Sequence, residues 1–377
     1  MTELSIVIAA GGTGGHIYPG LALAGAIQRL APDARISFVG TRRGLEGRLI
    51  PEAGHQLHLV DMIPFARNIG ARRFLLPAYV ARAALQARTI LRRERASVAV
   101  GMGGYASIPL IAGARLARVP SLIHESGAVP GRANKLAARL TRNVATAFDM
   151  TPAGHGGFSQ RVTTRTVGMP LGTELTGFDR DTIRVAARAG FGLPDHVAML
   201  LINGGSQGSA RLNDAAVGLA RRWNERDDVH IVVKAGHTNV DEVERRLKEV
   251  GGESVATCVA YLERMDHAYA AADLALCRAG AGTVAELAVV GLPAVLVPYP
   301  YAPDDHQAVN AAVLVDAGAA VLVRDAEATA ERLGPQIEEL LGHPDRLTRM
   351  AAAARSQARP KAAETLAGWV LELGRQA

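Results

Sequence analysis

A glycine-rich turn near the start of the chain has the composition of a ligand-binding loop. The segment GGTGGH at 11–16 follows an apolar run, 4–9, and leads into a helix-like stretch, 18–31. Glycines between a strand and a helix let a ligand approach the backbone closely, and the free amides of the helix N-terminus attract anions. We therefore expect this turn to bind a phosphate or a sugar.

A dinucleotide-binding turn is the alternative for the same segment. That motif needs a third glycine two residues further along, and usually an acidic residue at the end of the second strand. Here the predicted second strand, 36–40, is followed by Thr41, Arg42 and Arg43. The pattern therefore disfavours a nicotinamide cofactor.

Two segments of the second half could hold a nucleotide sugar. In RAGAGTVAEL at 278–287, small residues at a helix start could bind a diphosphate, and Glu286 could accept hydrogen bonds from a ribose diol. Alternatively, Glu286 only complements the helix dipole. In PYPYAPDDHQ at 298–307, Asp305 could cap the next helix while the final His and Gln bind sugar hydroxyls. A solvated helix start is the alternative there.

Candidates for general acid–base chemistry occur in the first half. A third glycine turn, GMGGYAS at 101–107, follows the fourth predicted strand, and His124 and Glu125 end the fifth. A sugar hydroxyl that acts as a nucleophile needs a base, which either side chain could supply. Adjacent residues of a strand point to opposite faces, so at most one of the two can face a ligand.

An arginine-rich segment, 63–95, could contact a lipid surface. Seven arginines precede its first acid, Glu94, and apolar residues are interleaved with them. Apolar side chains flanked by arginines suit adsorption on an anionic membrane, although a solvated helix packed on the sheet would show a similar pattern. Aromatic residues make up only 4% of the chain and no nucleic-acid-reading motif occurs, so nucleic acid is not an expected partner.

The elements that position these residues alternate along the chain. Short apolar runs precede helical segments in both halves, which predicts two doubly wound parallel sheets on either side of a Gly- and Pro-containing stretch, 151–172. Ligands should then bind in a cleft lined by the carboxyl ends of both sets of strands. The predicted strands are 4–9, 36–40, 57–60, 97–100, 121–124 and 143–147, then 197–202, 229–233, 254–259, 274–277, 294–297 and 320–323.

Length and charge both favour two domains. The 377 residues exceed what one hydrophobic core usually serves, so we expect domains at 1–166 and 167–351, with a C-terminal helix, 352–377, as a candidate to complete the first. Residues 1–166 carry 21 Lys and Arg against 8 Asp and Glu, whereas the remainder carries 21 against 28. An anionic surface or partner is therefore expected for the first half alone.

Cysteine usage and targeting patterns bear on the compartment. Neither Cys258 nor Cys277 has a partner at metal-ligand spacing, so we expect no metal and interpret both as buried residues in a reducing cytosol. The sequence shows no signal-peptide pattern and no apolar run of membrane-spanning length. These observations predict a cytoplasmic protein.

Taken in order, the motifs resemble the MurG family, which transfers N-acetylglucosamine from UDP-N-acetylglucosamine to lipid I and forms lipid II in peptidoglycan synthesis. The resemblance implies an α/β GT-B fold, with two Rossmann-like domains facing across a cleft. It also implies an inverting transfer to a polyprenyl-diphosphate-linked acceptor, and peripheral attachment to the cytoplasmic face of the cell membrane. The acceptor and the membrane would belong to the first domain, and the donor to the second. The motifs are GGTGGH at 11–16, GMGGY at 101–105, HE at 124–125, PG with NK at 130–135, GGSQG at 204–208, GAGTVAE at 280–286, and Gln307 with Asn310.

The resemblance also implies roles for individual residues, with no cofactor and no metal. His16 would be the general base, with Glu125 as its competitor. The acceptor diphosphate would be bound by Thr13, Gly14, Gly15, Gly103, Gly104, Tyr105 and Asn134. The UDP-sugar would be bound by Ser206, Gln207, Leu262, Ala281, Gly282, Thr283, Glu286, His306 and Gln307.

Two departures from the family pattern concern the donor. Where the family usually has Gln-Asn after the His-Glu pair, this chain has Ser126 and Gly127, and where it usually has Gly-Asn-Pro-Val-Arg, this chain has GMPLG at 168–172. Losing a charge-assisted contact of the arginine type costs roughly 1.5 to 3 kcal/mol unless another residue replaces it.

The departures keep other functions open. The main alternative is a MurG-like transferase of specialised metabolism, with a different sugar nucleotide or a phosphoglycolipid acceptor. A non-catalytic scaffold that binds a nucleotide sugar is a second, and a UDP-N-acetylglucosamine epimerase on the same kind of fold is a third. The sequence does not determine the oligomeric state.

Overall fold

Two compact units make up the chain. The computed structural model describes residues 3–42, 44–62, 76–149, 158–159, 161–177, 179–205 and 208–376. One unit comprises residues 1–172 together with 360–377, and the other comprises 173–359. The first boundary lies after 166 because Val167 is buried in the core of the first unit and Gly168 accepts a hydrogen bond from His124.

The first unit is built on a parallel sheet of seven strands in the order β3-β2-β1-β4-β5-β6-β7. All six strands predicted for this half form, and all but the edge strand β3 are mostly buried, as their apolar runs indicate. The seventh was not predicted: its sequence, TTRT, is polar, and it lies at the sheet edge with three of its four residues exposed. The strands are β1 (Ser5–Ala9), β2 (Arg35–Gly40), β3 (Gln56–Leu59), β4 (Val98–Gly101), β5 (Ser121–Glu125), β6 (Asn143–Thr146) and β7 (Thr163–Thr166).

The second unit repeats this plan with six parallel strands in the order β10-β9-β8-β11-β12-β13. Each of them corresponds to an apolar run predicted as a strand. They are β8 (Ala198–Asn203), β9 (Val229–Lys234), β10 (Ala256–Val259), β11 (Leu274–Cys277), β12 (Ala294–Leu296) and β13 (Ala320–Leu322).

Helices connect most consecutive strands in both units, whereas the described residues between β6 and β7 contain no helix. None of the described helices combines the length and the apolar character that crossing a bilayer requires. They are α1 (Gly14–Leu30), α2 (Glu46–Glu52), α3 (Leu76–Arg93), α4 (Ser107–Ala117), α5 (Arg132–Ala137), α6 (Thr173–Thr176), α7 (Arg180–Gly190), α8 (Ala210–Trp223), α9 (Val240–Glu249), α10 (Met265–Ala271), α11 (Ala281–Val290), α12 (His306–Asp316), α13 (Ala330–Leu341), α14 (Pro344–Ser356) and α15 (Ala362–Arg375).

The last helix returns to the first unit. In α15, Leu366 and Val370 are fully buried and pack in one core with Ile6 and Ile8 of β1. The preceding helix, α14, packs instead against α11 of the second unit. The chain therefore changes units between these two helices.

In each unit the strand order reverses at one pair of neighbouring strands. In the first unit β1 pairs with both β2 and β4, and in the second β8 pairs with both β9 and β11. Loops that leave the carboxyl ends of such strands in opposite directions open a crevice, which is where doubly wound sheets bind ligands. The glycine turns after β1, β4, β8 and β11 all leave the sheets at these two points.

Candidate active site

The first glycine turn begins α1 directly after β1. Thr13 is the N-cap residue, and its carbonyl accepts hydrogen bonds from the amides of His16 (3.1 Å) and Ile17 (3.3 Å). Gly12 has a φ of 92°, a backbone conformation that residues other than glycine rarely adopt. The exposed residues Thr13 and Gly15 therefore lie at the positive end of a helix, as the sequence predicted for an anion-binding turn.

A buried carboxylate fixes this turn. Glu46 is fully buried and accepts hydrogen bonds from the amide of Gly12 (2.9 Å) and from both the amide (3.0 Å) and hydroxyl (2.8 Å) of Thr41. A Cβ at Gly44 would overlap Glu46 Oε2, so a side chain there would displace the carboxylate. Sequence reasoning missed Glu46, and its only signal was an acid among glycines after the second strand.

His16 lies where the first and third glycine turns meet. A Cβ at Gly103 would come within 2.6 Å of His16 Cδ2, and one at Gly104 would come within 2.4 Å of the carbonyl oxygen of Gly11. Both glycines have positive φ, 96° and 75°. The absence of side chains at 103 and 104 thus makes the room that the imidazole ring occupies.

The His16 ring is suited to accept a proton. Burial lowers its pKa below the ordinary 6.5, against the opposing effects of the Gly11 carbonyl and of Glu46. Its Nδ1 is buried without a hydrogen bond of ordinary geometry to the described residues, while the residue as a whole is partly exposed. At neutral pH His16 is therefore an uncharged imidazole.

The second histidine of this unit is enclosed. His124 is fully buried, and its Nε2 donates to the carbonyl of Gly168 at 2.9 Å, since a carbonyl oxygen can only accept. Burial, aided by the nearby His16 and opposed by the Gly168 carbonyl, lowers the pKa of His124 to about 4. His124 is therefore a neutral structural side chain that closes β5 onto the segment after β7.

Glu125 holds the loop after β5. Its Oε1 accepts from the amide of Gly127, and its Oε2 accepts from the amide of Gly131 and from Asn134 Nδ2, each at 2.9 Å. Asn134 Nδ2 also donates to the carbonyl of His124 at 3.0 Å. The Glu125 carboxylate and the Asn134 Nδ2 group therefore hold the loop after β5 in its conformation. Tyr105, in the third glycine turn, is partly buried.

In the second unit, Glu286 projects from the start of α11. Gly280 is the N-cap residue of α11, and Ala281, Gly282 and Thr283 form its partly exposed first turn. Glu286 Oε2 accepts a hydrogen bond from the hydroxyl of Tyr269 at 2.7 Å. Burial raises the pKa of Glu286, whereas Tyr269 and Lys234 act to lower it.

The neighbouring glycine turn of this unit is described only in part. Ser206 and Gln207 lie outside the described residues. Gly205 has a φ of 92°, and Ser209 is the N-cap residue of α8, with its side chain accepting from the amide of Leu212. Leu262, after β10, is buried.

The proline-rich loop before α12 is internally bonded. Gln307 Oε1 accepts from the amide of Tyr299 and His306 Nδ1 donates to the carbonyl of Pro303, both at 2.9 Å. The predicted capping role of Asp305 was wrong: it occupies the N-cap position, but its side chain accepts no helix hydrogen bond. Asp304 and Asp305 have φ of 55° and 49°, and such strain outside glycine is typical of functional loops.

Arg278 ties four loops of the second unit together. Its guanidinium bonds to Asp325 (2.6 Å), to the hydroxyl of Ser209 (2.8 Å) and to the carbonyls of Val297 (3.2 Å) and Pro298 (3.3 Å). Sequence reasoning assigned no role to it. An arginine directly after a strand and before a glycine turn was the available signal.

Metal-binding groups do not converge in the described part of the chain. No three His, Cys, Asp or Glu side chains lie close enough there to hold an ion. Both cysteines are free thiols, and burial raises the pKa of Cys258 to about 11 and that of Cys277 to about 12.

Comparison with known proteins identifies the family. The N-terminal domain of glycosyltransferase family 28 matches residues 6–146, and its C-terminal domain matches 199–366. A curated relative from Saccharopolyspora erythraea is 43% identical, covering 98% of this chain and 94% of its own. One from Mycolicibacterium vanbaalenii is 41% identical, covering 99% and 90%. Both are named UDP-N-acetylglucosamine–N-acetylmuramyl-(pentapeptide) pyrophosphoryl-undecaprenol N-acetylglucosamine transferase.

This chain belongs to the MurG family of glycosyltransferases. The crystal structure of MurG from Acinetobacter baumannii is 30% identical, covers 98% of this chain and 99% of its own, and superposes with a TM-score of 0.76. The predicted family and the α/β GT-B fold with two Rossmann-like units are thereby confirmed. As a MurG-family member, the chain is a glycosyltransferase.

Proposed function

We propose that this chain transfers N-acetylglucosamine from UDP-N-acetylglucosamine to the diphosphate-linked N-acetylmuramyl-pentapeptide of an undecaprenyl lipid, so that lipid I becomes lipid II. Two relatives named for that activity share 41% and 43% of its residues over nearly the whole length. The observation that carries the proposal is the neutral, desolvated His16 at the meeting point of two glycine turns. Such a base is what an attacking sugar hydroxyl requires.

The second unit would bind the donor. The amides of Ala281, Gly282 and Thr283 lie at the N-terminus of α11, where the helix dipole favours the charge that develops on the departing β-phosphate. Glu286 would accept hydrogen bonds from the ribose, with His306, Gln307, Leu262, Ser206 and Gln207 completing the donor site. We propose that these oriented groups act without a cofactor.

The first unit would bind the acceptor and start the reaction. The N-terminus of α1, with Thr13, Gly14 and Gly15, and the turn with Gly103, Gly104 and Tyr105 offer amides to the acceptor diphosphate. His16 takes the proton from the acceptor hydroxyl as its oxygen attacks C1 of the N-acetylglucosamine. The bond from C1 to the β-phosphate oxygen breaks, UDP leaves, and the anomeric configuration inverts. Asn134 would act indirectly by holding the loop after β5.

A lipid-linked acceptor favours attachment to a membrane surface. The predicted lipid-binding segment is 63–95, of which 63–75 lies outside the described residues. In α3 one face packs inward with Ala83, Ala87 and Leu91, while Arg82, Leu85 and Arg92 are exposed. We propose that this exposed face rests on anionic lipid at the cytoplasmic face of the membrane.

The two departures from the family pattern support one second candidate. Gly172 stands where the family usually has an arginine, and Ser126 and Gly127 stand where it usually has amide side chains. A transferase with a different sugar nucleotide or a phosphoglycolipid acceptor would need different donor contacts. This candidate shares the proposed fold, base and diphosphate sites.

The test is sugar transfer by the purified chain. We expect incubation with UDP-N-acetylglucosamine and a short-chain lipid I analogue to give one added N-acetylhexosamine by mass spectrometry, with release of UDP. A panel of donors that includes UDP-glucose and UDP-galactose separates the two candidates, because preference for another sugar supports the second. UDP binding without any product would contradict both and favour a scaffold, and conversion of the donor without acceptor would favour an epimerase.

A further inference from the structure

Three adjacent strand ends converge beside Glu286. In the second sheet Lys234 of β9 lies opposite Asn203 of β8, and Asn203 lies opposite Cys277 of β11. Residues at paired positions of parallel strands project from the same face, so these side chains form a row at the carboxyl edge. Cys277 is followed directly by the turn that starts α11, which carries Glu286.

Tyr269 fixes one oxygen of that carboxylate. Its side chain is 1% exposed, and its hydroxyl donates to Glu286 Oε2 at 2.7 Å. Burial raises the pKa of Tyr269 well above its ordinary value, so the hydroxyl stays protonated and acts as a donor. Glu286 Oε1 receives no hydrogen bond from the described residues and faces Gly282, 3.8 Å from where a Cβ at 282 would lie.

The helix that carries Tyr269 is itself held in place. Arg180, Arg184 and Arg188 lie at four-residue spacing along α7, and all three donate to carbonyls at the C-terminal end of α10 or just beyond it. Arg184 and Arg188 also pair with Asp273. Tyr269 therefore donates from a fixed position.

Lys234 is the positively charged side chain that acts on Glu286. It is 6% exposed, and its Nζ lies 5.5 Å from the centre of the Tyr261 ring. No described carboxylate forms an ion pair with it, although a buried ammonium is costly when isolated. Glu286 is the acid whose field acts on it, raising the pKa of Lys234 against the lowering effect of burial.

We infer that Tyr269 is a positioning residue of the donor site, which orients the Glu286 carboxylate for the two ribose hydroxyls, and that Lys234, on the same edge of the sheet, supplies its counter-charge. The inference rests on the proposed function, since it takes Glu286 as the ribose contact. Tyr269 engages Oε2 and leaves Oε1 turned toward the nucleotide-binding turn. Lys234 acts on the partly buried carboxylate as a positive charge, which lowers the pKa of Glu286 against the effect of burial.

The sign of the pH effect follows from the groups around Glu286. Burial raises its pKa above 4.5, and Tyr269 and Lys234 counteract this. Removing either should raise the pKa further, so that Glu286 becomes protonated at a higher pH and loses an acceptor for ribose. The titratable groups that face it are Tyr269 of α10, Lys234 of β9, Glu174 of α6 and Cys277 of β11.

The experiment compares Tyr269→Phe and Lys234→Met in the full chain. First, the Glu286 carboxyl is titrated by NMR of protein labelled with 13C at glutamate carboxyls, with Glu286→Gln to assign the signal. We expect the midpoint to rise by about one pH unit in each variant, a tenfold change in proton affinity. Second, UDP-N-acetylglucosamine affinity is measured by calorimetry from acid to neutral pH. This donor has no terminal phosphate that titrates near neutrality, and its acid-side loss of affinity should move upward by the same amount.

Matched controls remove the same groups outside the proposed donor segments. Tyr79→Phe deletes a phenolic hydroxyl of α3 in the first unit and Lys248→Met one exposed ammonium of α9 in the second, and both should keep the wild-type midpoint. Unchanged midpoints in Tyr269→Phe and Lys234→Met overturn the inference, even if the enzyme transfers sugar normally. If the midpoints shift in both variants while the wild type binds the donor but makes no lipid II, the inference stands and the proposed transfer is rejected.

Discussion

At the scale of single residues, the chemistry of the first unit depends on one histidine kept neutral and another kept out of the reaction. His16 and His124 both have pKa values lowered by burial. Only His124 has its Nε2 proton committed to a described carbonyl, that of Gly168. His16 instead leaves its ring between two backbone turns that could hold an acceptor. The difference between the two histidines lies in their partners more than in their burial.

Replacing His16 by alanine should remove the base and little else. We expect kcat to fall by about 10² to 10⁴, the usual contribution of general base catalysis, with UDP-N-acetylglucosamine affinity unchanged because the donor site belongs to the second unit. Steady-state kinetics and calorimetry measure the two effects. His343→Ala, an exposed histidine of the second unit, is the control. A near wild-type kcat in His16→Ala would show that another group acts as the base.

The pH profile of the wild type provides an independent measurement. A base must be neutral to act, and its neutral fraction falls as pH drops through its pKa. Burial lowers the pKa of His16 below 6.5, so we expect the acid limb of kcat/KM at a pH lower than 6.5. Loss of activity centred above that value would contradict His16 as the titrating base.

The glycine turns could be predicted from sequence, whereas the polar side chains that hold them could not. Turns such as 11–16 are recognisable because glycine between a strand and a helix is a local pattern. Glu46 and Tyr269 act on residues 34 and 17 positions away, respectively. A single buried polar residue leaves no periodic signal, so only the fold reveals its partner.

At the scale of elements, the accuracy of prediction followed burial. Twelve strands were visible as apolar runs, and most of them are largely buried, although the edge strand β3 is not. The edge strand β7 pairs with one strand, β6, and has a polar sequence, so the sequence alone did not distinguish it from a loop. The prediction that Asp305 caps α12 was wrong because its backbone is left-handed, with a φ of 49°, which is not the geometry of a capping aspartate.

Helix α3 provides the prediction at this scale. Leu85→Ser combined with Arg92→Glu should lower binding to vesicles that contain phosphatidylglycerol by at least about tenfold, because each basic residue near an anionic surface contributes about 1 kcal/mol. Vesicle sedimentation measures the bound fraction. Val185→Ser with Arg349→Glu likewise replaces one exposed aliphatic residue by serine and one exposed arginine by glutamate, but in the second unit, and should leave binding intact. Equal losses in both double variants would mean that net charge, and not α3, governs adsorption.

At the scale of the whole molecule, the C-terminal helix α15 completes the hydrophobic core of the first unit. Leu366 and Val370 of α15 pack with Ile6 and Ile8 of β1, although more than 350 positions separate them. The sequence offered the C-terminal helix, 352–377, as a candidate to complete the first domain, but it did not show that only the part from Pro360 belongs to that unit, nor which surface the helix covers. The second unit has a separate core, built on residues such as Leu200, Trp223 and Ile231.

Two separate cores should respond separately to a core mutation. Leu366→Ala removes a fully buried side chain and should destabilise the first unit by about 2 to 5 kcal/mol. We expect hydrogen–deuterium exchange measured by mass spectrometry to accelerate in peptides from β1 and β4 and to stay unchanged in β8 and β11, with donor affinity preserved. Leu30→Ala, at a half-exposed position of α1, is the matched control and should have little effect. If β8 and β11 exchange faster to the same extent, the two cores unfold as one cooperative unit, and α15 stabilises the entire chain.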